Sequence, residues 1–535
     1  NYTFGNEYAD MITGNLTQGY NETSYTNIHD EAYNTYEGFV QDDWKVTKRL
    51  TLNFGLRFTH FQPWEDRTGN GFSIFNYADY SSTCTPLQYC GFEWHKRDAS
   101  VPLSGYPTRA LFYQPRIGGA FDLTGSGKTV LRGGWGRYYY HSAQFTTGLD
   151  VSAGVNATSI SASSLGVPHL YASMIDSVNF ANQPLSPGAV DSKDNKQPYT
   201  DSWNVTISQR TPWSGLLELS YVGNRSRDLS NGAGYGSDIN LVPVGSMLAS
   251  NNGGKDPNSL NANAFRPLQG FTDVNLATNN LYSNFNAFQM TWVRSKGRYN
   301  INFNYTYGKS MGIVNSSLDP FNLANDYGVM PTNRTHIFNA AYSIELGNPT
   351  RDKLLGGFVN GWQLSGVTQV ESGPNLTGFS SGNDFNFAAT GTIPGTAFNI
   401  SNVSLLGTPS LQLHPYLTCN PTANLAPHQF INGNCFAEPT NIGQNGPTVL
   451  PAFYGPWFFN SDLGLFKNFQ ISESKKLQFR IDGYNFLNHP LWSFYGGENL
   501  ALNFNAAGQQ TSPNFGYTTD KQGRRIVQLA IKFYF

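Results

Sequence analysis

The sequence is short of charge and has no long greasy run. Asp, Glu, Lys and Arg make up 13% of its 535 residues and nearly cancel, to a formal net charge of -2. That balance offers no field for nucleic acid and no basic surface for anionic lipid. No apolar segment approaches the roughly 18 to 20 residues of a membrane-spanning helix, and the Ala, Glu, Lys and Leu runs of long helices are missing. The nine histidines are scattered, with no HExxH and no i,i+4 pair, so a catalytic zinc is not expected and solvated loops account for most of them. The GxSxG pattern occurs twice, as GKSMG at Gly308–Gly312 at the end of a predicted strand and as GFSSG at Gly378–Gly382 in a predicted loop. No helical pattern follows either, so neither makes a nucleophile elbow. The carboxylates Asp42 and Asp43 sit beside a predicted turn, where solvation is their role, and nothing converges on a cleft. The chain reads as a non-enzyme that needs no cofactor and no metal.

Cysteine is also scarce. Cys84, Cys90, Cys419 and Cys435 form two sequence-local pairs in polar, Pro-containing stretches. They suggest two loop disulfides in an oxidising compartment, although other pairings remain open.

What the sequence has in abundance is aromatic side chains, 15% of the total, and 55 glycines, which suit strands and turns. The closing RIVQLAIKFYF places Val527, Leu529, Ile531, Phe533 and Phe535 on one face and Gln528, Ala530, Lys532 and Tyr534 on the other. The same alternation runs through LTLNFGLRF, where Leu50, Leu52, Phe54, Leu56 and Phe58 face one way and Thr51, Asn53, Gly55 and Arg57 the other. From Tyr36 the rhythm is strand, tight turn, strand, long polar loop. The predicted hairpins are Tyr36–Trp44 with Leu50–Phe58, Leu111–Leu123 with Thr129–Tyr139, and Ser202–Arg210 with Leu216–Asn224. Three more follow: Phe285–Arg294 with Tyr299–Lys309, Thr335–Ile344 with Gly361–Glu371, and Phe458–Phe469 with Leu477–Asn485. With the closing strand, the count is thirteen.

Such strands average out in hydropathy, so a mean of -0.39 is compatible with one whole face meeting lipid. The expected fold is all-β: an antiparallel transmembrane β-barrel with short turns inside and long loops outside. An odd number of strands cannot close with an antiparallel seam. The chain is therefore expected to hold about 13–14 strands of a larger barrel. Residues 1–35 would be a strand or loop remnant and residues 36–535 the C-terminal part. The absence of Met or a leader at Asn1 points to processing or to a fragment.

Several residues follow as candidates. Arg57, Arg132, Glu218, Arg480 and Asp482 point into a polar lumen, where they are solvated or meet a ligand or plug. Trp44, Trp135, Tyr138, Tyr139, Trp203, Tyr221 and Trp362 fit interfacial girdles. Trp94 and Trp457 are loop aromatics that could stack on a ligand. The loops Thr59–Ala110, His141–Asp201, Arg225–Asn284 and Ser372–Trp457 are the expected contact surfaces. TGSGKT (Thr124–Thr129) is not a phosphate loop: the first Gly of that motif would have to stand where Asp122 does, and a strand follows instead of a helix.

Seven stretches in this order resemble the barrel of TonB-dependent outer-membrane receptors, most nearly the Oar-like branch with a carboxypeptidase-regulatory-like N-terminal domain. They are FVQDDWKVTKRLTLNFGLRF, QPRIGGAFDLTGSGKTVLRGGWGRYY, WNVTISQR with YVGNRS, YTYGKSM, GWQLSGVTQVESGP, LGLFKNFQISESKKLQFRIDGYNFLNHP and IVQLAIKFYF. The resemblance implies a plugged barrel of about 22 strands, residence in the bacterial outer membrane, and uptake of a scarce extracellular ligand by TonB-coupled transport. It also implies that Phe533 and Phe535 carry the signal read by the barrel-assembly machinery. The plug and TonB box are not seen in this sequence. A barrel for surface adhesion or assembly and a passive porin are the alternatives.

Overall fold

The computed structural model describes residues 6–13, 15–16, 20–23, 30–83, 85, 88–105, 107–141, 157–160, 170–171, 185–194, 196–231, 237–314, 316, 318–376, 386–494 and 500–535. Thirteen long strands build its wall. They are β1 Thr35–Lys45, β2 Leu50–Phe61, β3 Phe112–Asp122, β4 Thr129–Tyr139, β5 Tyr199–Thr211, β6 Gly215–Asn231 and β7 Asn275–Lys296. Then come β8 Tyr299–Ile313, β9 His336–Gly347, β10 Trp362–Glu371, β11 Phe458–Gln470, β12 Lys476–Tyr484 and β13 Ile526–Tyr534. Each pairs antiparallel with the next.

The strands belong to one barrel-forming sheet, but their ladders form an open series. Among the described residues no rung joins β1 to β13. Both edge strands are almost wholly exposed, and with thirteen members they run in the same direction. Thirteen is also the number of strands expected from the sequence.

Register fixes the two faces. The rung Trp292, Phe303 and Ala340 is apolar, and Trp292 stacks on Phe303 at 5.6 Å. One residue along, Thr291, Asn304 and Asn339 form a polar rung. Cross-strand partners share a face, so this alternation propagates along each ladder.

Short turns close one end. In the turn after β3, the carboxylate of Asp122 accepts the N–H groups of Thr124 (3.2 Å), Gly125 (2.9 Å) and Gly127 (2.8 Å). The amides that a phosphate would need are thus held by a side chain, as the hairpin reading requires. The connection between β9 and β10 differs from the others and carries a helix, α1, Lys353–Val359. Asp352 caps it by accepting the Leu355 N–H at 2.8 Å.

At the other end the long loops are packed rather than structureless. Phe75, Phe92, Leu185, Leu268 and Phe271, from three separate connections, share one core. Leu376, Ile431, Phe436, Phe453, Leu500, Leu502 and Phe515 form another, bridging the loops after β10 and β12. A short helix, α2 (Asn402–Leu406), brings Leu405 and Leu406 against Ile393 and Ile400. Its C-cap Gly407 has φ 67° and sits where any Cβ would lie 2.6 Å from Gly245. Only glycine permits both the left-handed turn and that approach. The Gly245 and Met247 amides then bond to the carbonyls of Leu406 and Gly407 at 2.8 and 3.0 Å. A disulfide joins Cys419 to Cys435 inside this cap. Cys90 is disulfide-bonded as well, but its expected partner Cys84 lies outside the described residues. So do about half of residues 1–29 and much of the loop from His141 to Asp201.

Candidate functional site

The polar face carries the charged residues singled out in the sequence, and the ladders arrange them. Arg132 on β4 opposes Thr206 on β5, and Ser208, one rung pair further, opposes Glu218 on β6. Arg132 Nη1 donates to Ser208 Oγ at 2.8 Å and lies 3.3 Å from Glu218 Oε1, while Ser208 Oγ donates to the same carboxylate at 2.6 Å. On β12 the Arg480 Nε donates to both oxygens of Asp482, at 2.8 and 2.6 Å. Arg57 on β2 is paired with Glu37 on β1. These pairs leave the face strongly polar but nearly neutral, and each cation is held rather than free to wander.

Two grooves lie on that face. The larger, a cavity of about 500 Å³, crosses β7 to β12 and is lined by Asn300, Asn302, Ser343, Ser365, Asp462, Arg480 and Asp482, among others. The second, about 480 Å³, crosses β1 to β6, where Gly55, Gly118, Gly134 and Gly136 leave room beside Arg116 and Tyr138. Neither involves Arg57, Arg132 or Glu218 as lining. The structure therefore brings Arg480 and Asp482 into a groove and leaves the other three in ion pairs beside one.

The aromatic residues divide. Trp135 and Trp203 face each other across β4 and β5 on the apolar side, and Tyr221 and Trp362 share that side with Phe288 and Lys467 on their partner strands. Tyr138 does not. Its neighbour Tyr139 takes the other side, and the Arg116 guanidinium lies 4.6 Å over the Tyr138 ring on the polar face. Adjacent strand residues cannot both join one girdle. The loop aromatics are built into local structure. Trp94 packs on the first loop core, edge to Tyr89 at 6.4 Å with the Arg97 guanidinium over it, and Trp457 stacks on His336 at 5.8 Å.

The cap holds ionisable groups that no local pattern announced. His414 is 2% exposed, so the reading of loop histidines as solvated does not hold for it. Burial depresses its pKa to about 4. Asp326, fully buried in the loop after β8, is pushed up to about 7 by burial. Its Oδ2 accepts the Asp319 N–H at 3.3 Å, and its Oδ1 has no partner among the described residues. Burial likewise raises Glu438, which accepts the Thr390 N–H. The sign of each contribution differs. Asp326 adds stability that is fully present below its ordinary 3.8 and is lost as pH rises through about 7. His414 adds stability that is present above its ordinary 6.5 and is lost as pH falls through about 4. Between those limits the two oppose each other. With both raised carboxyls removed, in Asp326→Asn, Glu438→Gln, the His414 dependence is expected to dominate, and cap stability followed by hydrogen exchange rises from pH 4 to 6.5. A flat profile in that variant contradicts the assignment.

Among the described residues no group of His, Cys, Asp and Glu is arranged to hold a metal ion. The arrangement suits binding and passage of a hydrated ligand, with a packed cap over a polar-walled interior.

No curated protein matches the sequence. Among solved structures, the ferric-catecholate import receptor Fiu from E. coli K12 is 10% identical, with 94% of this chain and 45% of that chain covered at a TM-score of 0.40. The ferripyoverdine receptor of Pseudomonas aeruginosa is 8% identical, with 95% and 39% covered at 0.41. The copper transporter OprC is 11% identical, with 94% and 50% covered at 0.39. The chain thus spans half or less of the length of these three proteins. Among the described residues no helix is long and apolar enough to cross a membrane. A family model described as an outer membrane beta barrel domain matches residues 1–528, nearly the whole chain, and the chain belongs to that family: it is a β-barrel protein of the bacterial outer membrane.

Proposed function

We propose that this chain is the C-terminal part of the barrel of a TonB-dependent receptor of the Oar-like branch, taking up a scarce extracellular ligand. The observation that carries the reading is the polar inner face, grooved and ion-paired, beneath a cap built from the long loops. A passive pore needs an open mouth. A packed, disulfide-braced cap supports selective capture instead, with passage dependent on a rearrangement driven from the periplasm. Residues 36–535 supply wall and cap, and residues 1–35 lead into β1 from the rest of the barrel. The plug, the TonB box and the remaining strands belong to sequence upstream in this reading. Arg480 and Asp482, in the larger groove, are the lumen residues best placed to meet a ligand or plug, and no covalent step is required. The terminal Phe533 and Phe535 serve recognition by the assembly machinery.

Two measurements on the intact protein test this together. In planar bilayers bathed in molar potassium chloride it shows no steady open conductance, and in detergent it binds the purified periplasmic domain of TonB. A large steady conductance with no TonB binding overturns the proposal in favour of a porin. A closed barrel without TonB binding points to adhesion or assembly.

A further inference from the structure

The helix α1 sits on the wrong side of the wall for a lumen element. Its two anchors come from the lipid-facing register: Trp362 on β10 opposes Lys467 on β11, which opposes Phe479 on β12, which opposes Ile531 on β13. Trp362 Nε1 donates to the Phe358 carbonyl at 2.6 Å. Lys467 Nζ donates to the Gly356 carbonyl at 3.5 Å and to that of Gly357. Trp362 also packs edge-on to Phe479 at 6.2 Å. The helix therefore lies outside the barrel wall, at the rim where the short turns emerge.

A lysine in a lipid-facing rung is costly, because a bare ammonium has no partner in hydrocarbon. Here Lys467 is only 5% exposed. Carbonyls of α1 satisfy its cation, and the helix covers it. A Cβ at Gly356 would lie 2.8 Å from the Asn360 side-chain nitrogen, which donates to the Thr350 carbonyl at 2.8 Å and ties the end of the helix to the chain just before its start. The opposite side of α1 is apolar and bare. Leu354 is 83% and Phe358 75% exposed, with Leu355 also exposed. Positions 354 and 358 stand one turn apart, and 355 lies beside them, so the three share one face. Leu346 at the end of β9 and Phe469 near the end of β11 are exposed close by, and the Lys467 ammonium lies 4.9 Å over the Phe469 ring.

We infer that α1 is an interfacial foot, which lays Leu354, Leu355 and Phe358 into the headgroup and acyl boundary of the inner leaflet of the outer membrane. The occupant of this face is lipid. The argument is continuity: the face adjoins the lipid-facing rung of Trp362, Phe479 and Ile531, and its backbone anchors belong to that rung. Short amphipathic helices with an aromatic and leucine face bind interfaces in this way.

The test uses the intact protein refolded into phosphatidylethanolamine and phosphatidylglycerol vesicles. Among the described residues no cysteine is free, so Leu354→Cys can be labelled with an environment-sensitive fluorophore, and Lys48→Cys in the turn after β1 serves as control. Acyl-chain nitroxide lipid is expected to quench the label at position 354 more strongly than the label at 48, while aqueous cobalt does the reverse. A label at 354 quenched by cobalt as readily as at 48 overturns the inference. Shielding of position 354 only after addition of periplasmic proteins overturns it too and assigns the face to a protein partner. In Lys467→Met, whose folding is verified by heat-modified gel migration, loss of nitroxide quenching at 354 is expected. Retention of full quenching there contradicts the anchoring role of Lys467.

Discussion

Replacing Phe303 with Arg is expected to cost about 2–4 kcal/mol of folding free energy in bilayers beyond the cost of Phe303→Ala, as for an arginine near the bilayer midplane. The same change one residue earlier, Asn302→Arg, is expected to fall within about 1 kcal/mol of Asn302→Ala, because its side chain has water and polar neighbours to meet. Phe303 lies on the apolar rung between Trp292 and Ala340 and stacks on Trp292. The alanine variants remove the packing contribution, so the difference isolates desolvation of the charge. Urea titration of refolded protein in phosphatidylcholine vesicles reads all four values. Equal penalties at 302 and 303 would mean that the two faces see the same medium, and the assignment of one to lipid would fail.

The second large effect concerns the cap. Cys419 and Cys435 close a loop of sequence separation 16, for which constraint of the unfolded chain contributes about 3 kcal/mol. Cys435 is also buried and is followed directly by Phe436 of the larger loop core. The Cys419→Ser, Cys435→Ser double variant is therefore expected to lower local cap stability by about 3 kcal/mol, while the wall keeps its own melting behaviour. Hydrogen exchange separates the two: amides of residues 416–436 gain exchange, and those of β8 do not. Unchanged protection throughout the cap would mean that loop packing alone holds it.

Alternation made the wall legible. The strand over Thr129–Tyr139 has the bounds expected from its sequence, and most others agree within a few residues. Strands β6 and β7 outrun expectation, to Asn231 and back to Asn275. There the sequence NLATNNLYSN is polar on both sides, as suits a sheet that continues beyond the greasy band into water, and period two disappears with the apolar face. Tyr138 was misplaced for a simpler reason: an aromatic pair at a strand end satisfies composition, but only one of the two can face out.

The cap was illegible because its cores draw single residues from distant connections. Phe92, Leu185 and Phe271 have no periodicity among them, and His414 and Asp326 carry no local sign of burial. Helix α1 escaped notice because seven residues with two glycines show no usable period. Its one visible clue was Lys467, a cation in the greasy register of LGLFKNFQ, which needs a partner that the strand alone does not supply.

Successive residues of the wall alternate between hydrocarbon and a wet interior. Nitroxide side chains placed one at a time from Ile301 to Tyr307 on β8, in the intact protein in bilayers, test it directly through collision with oxygen and with an aqueous nickel chelate. Oxygen contact is expected to peak at 301, 303, 305 and 307, and nickel contact at 302, 304 and 306. Uniform access to nickel along the whole stretch, without a period of two, would contradict the account.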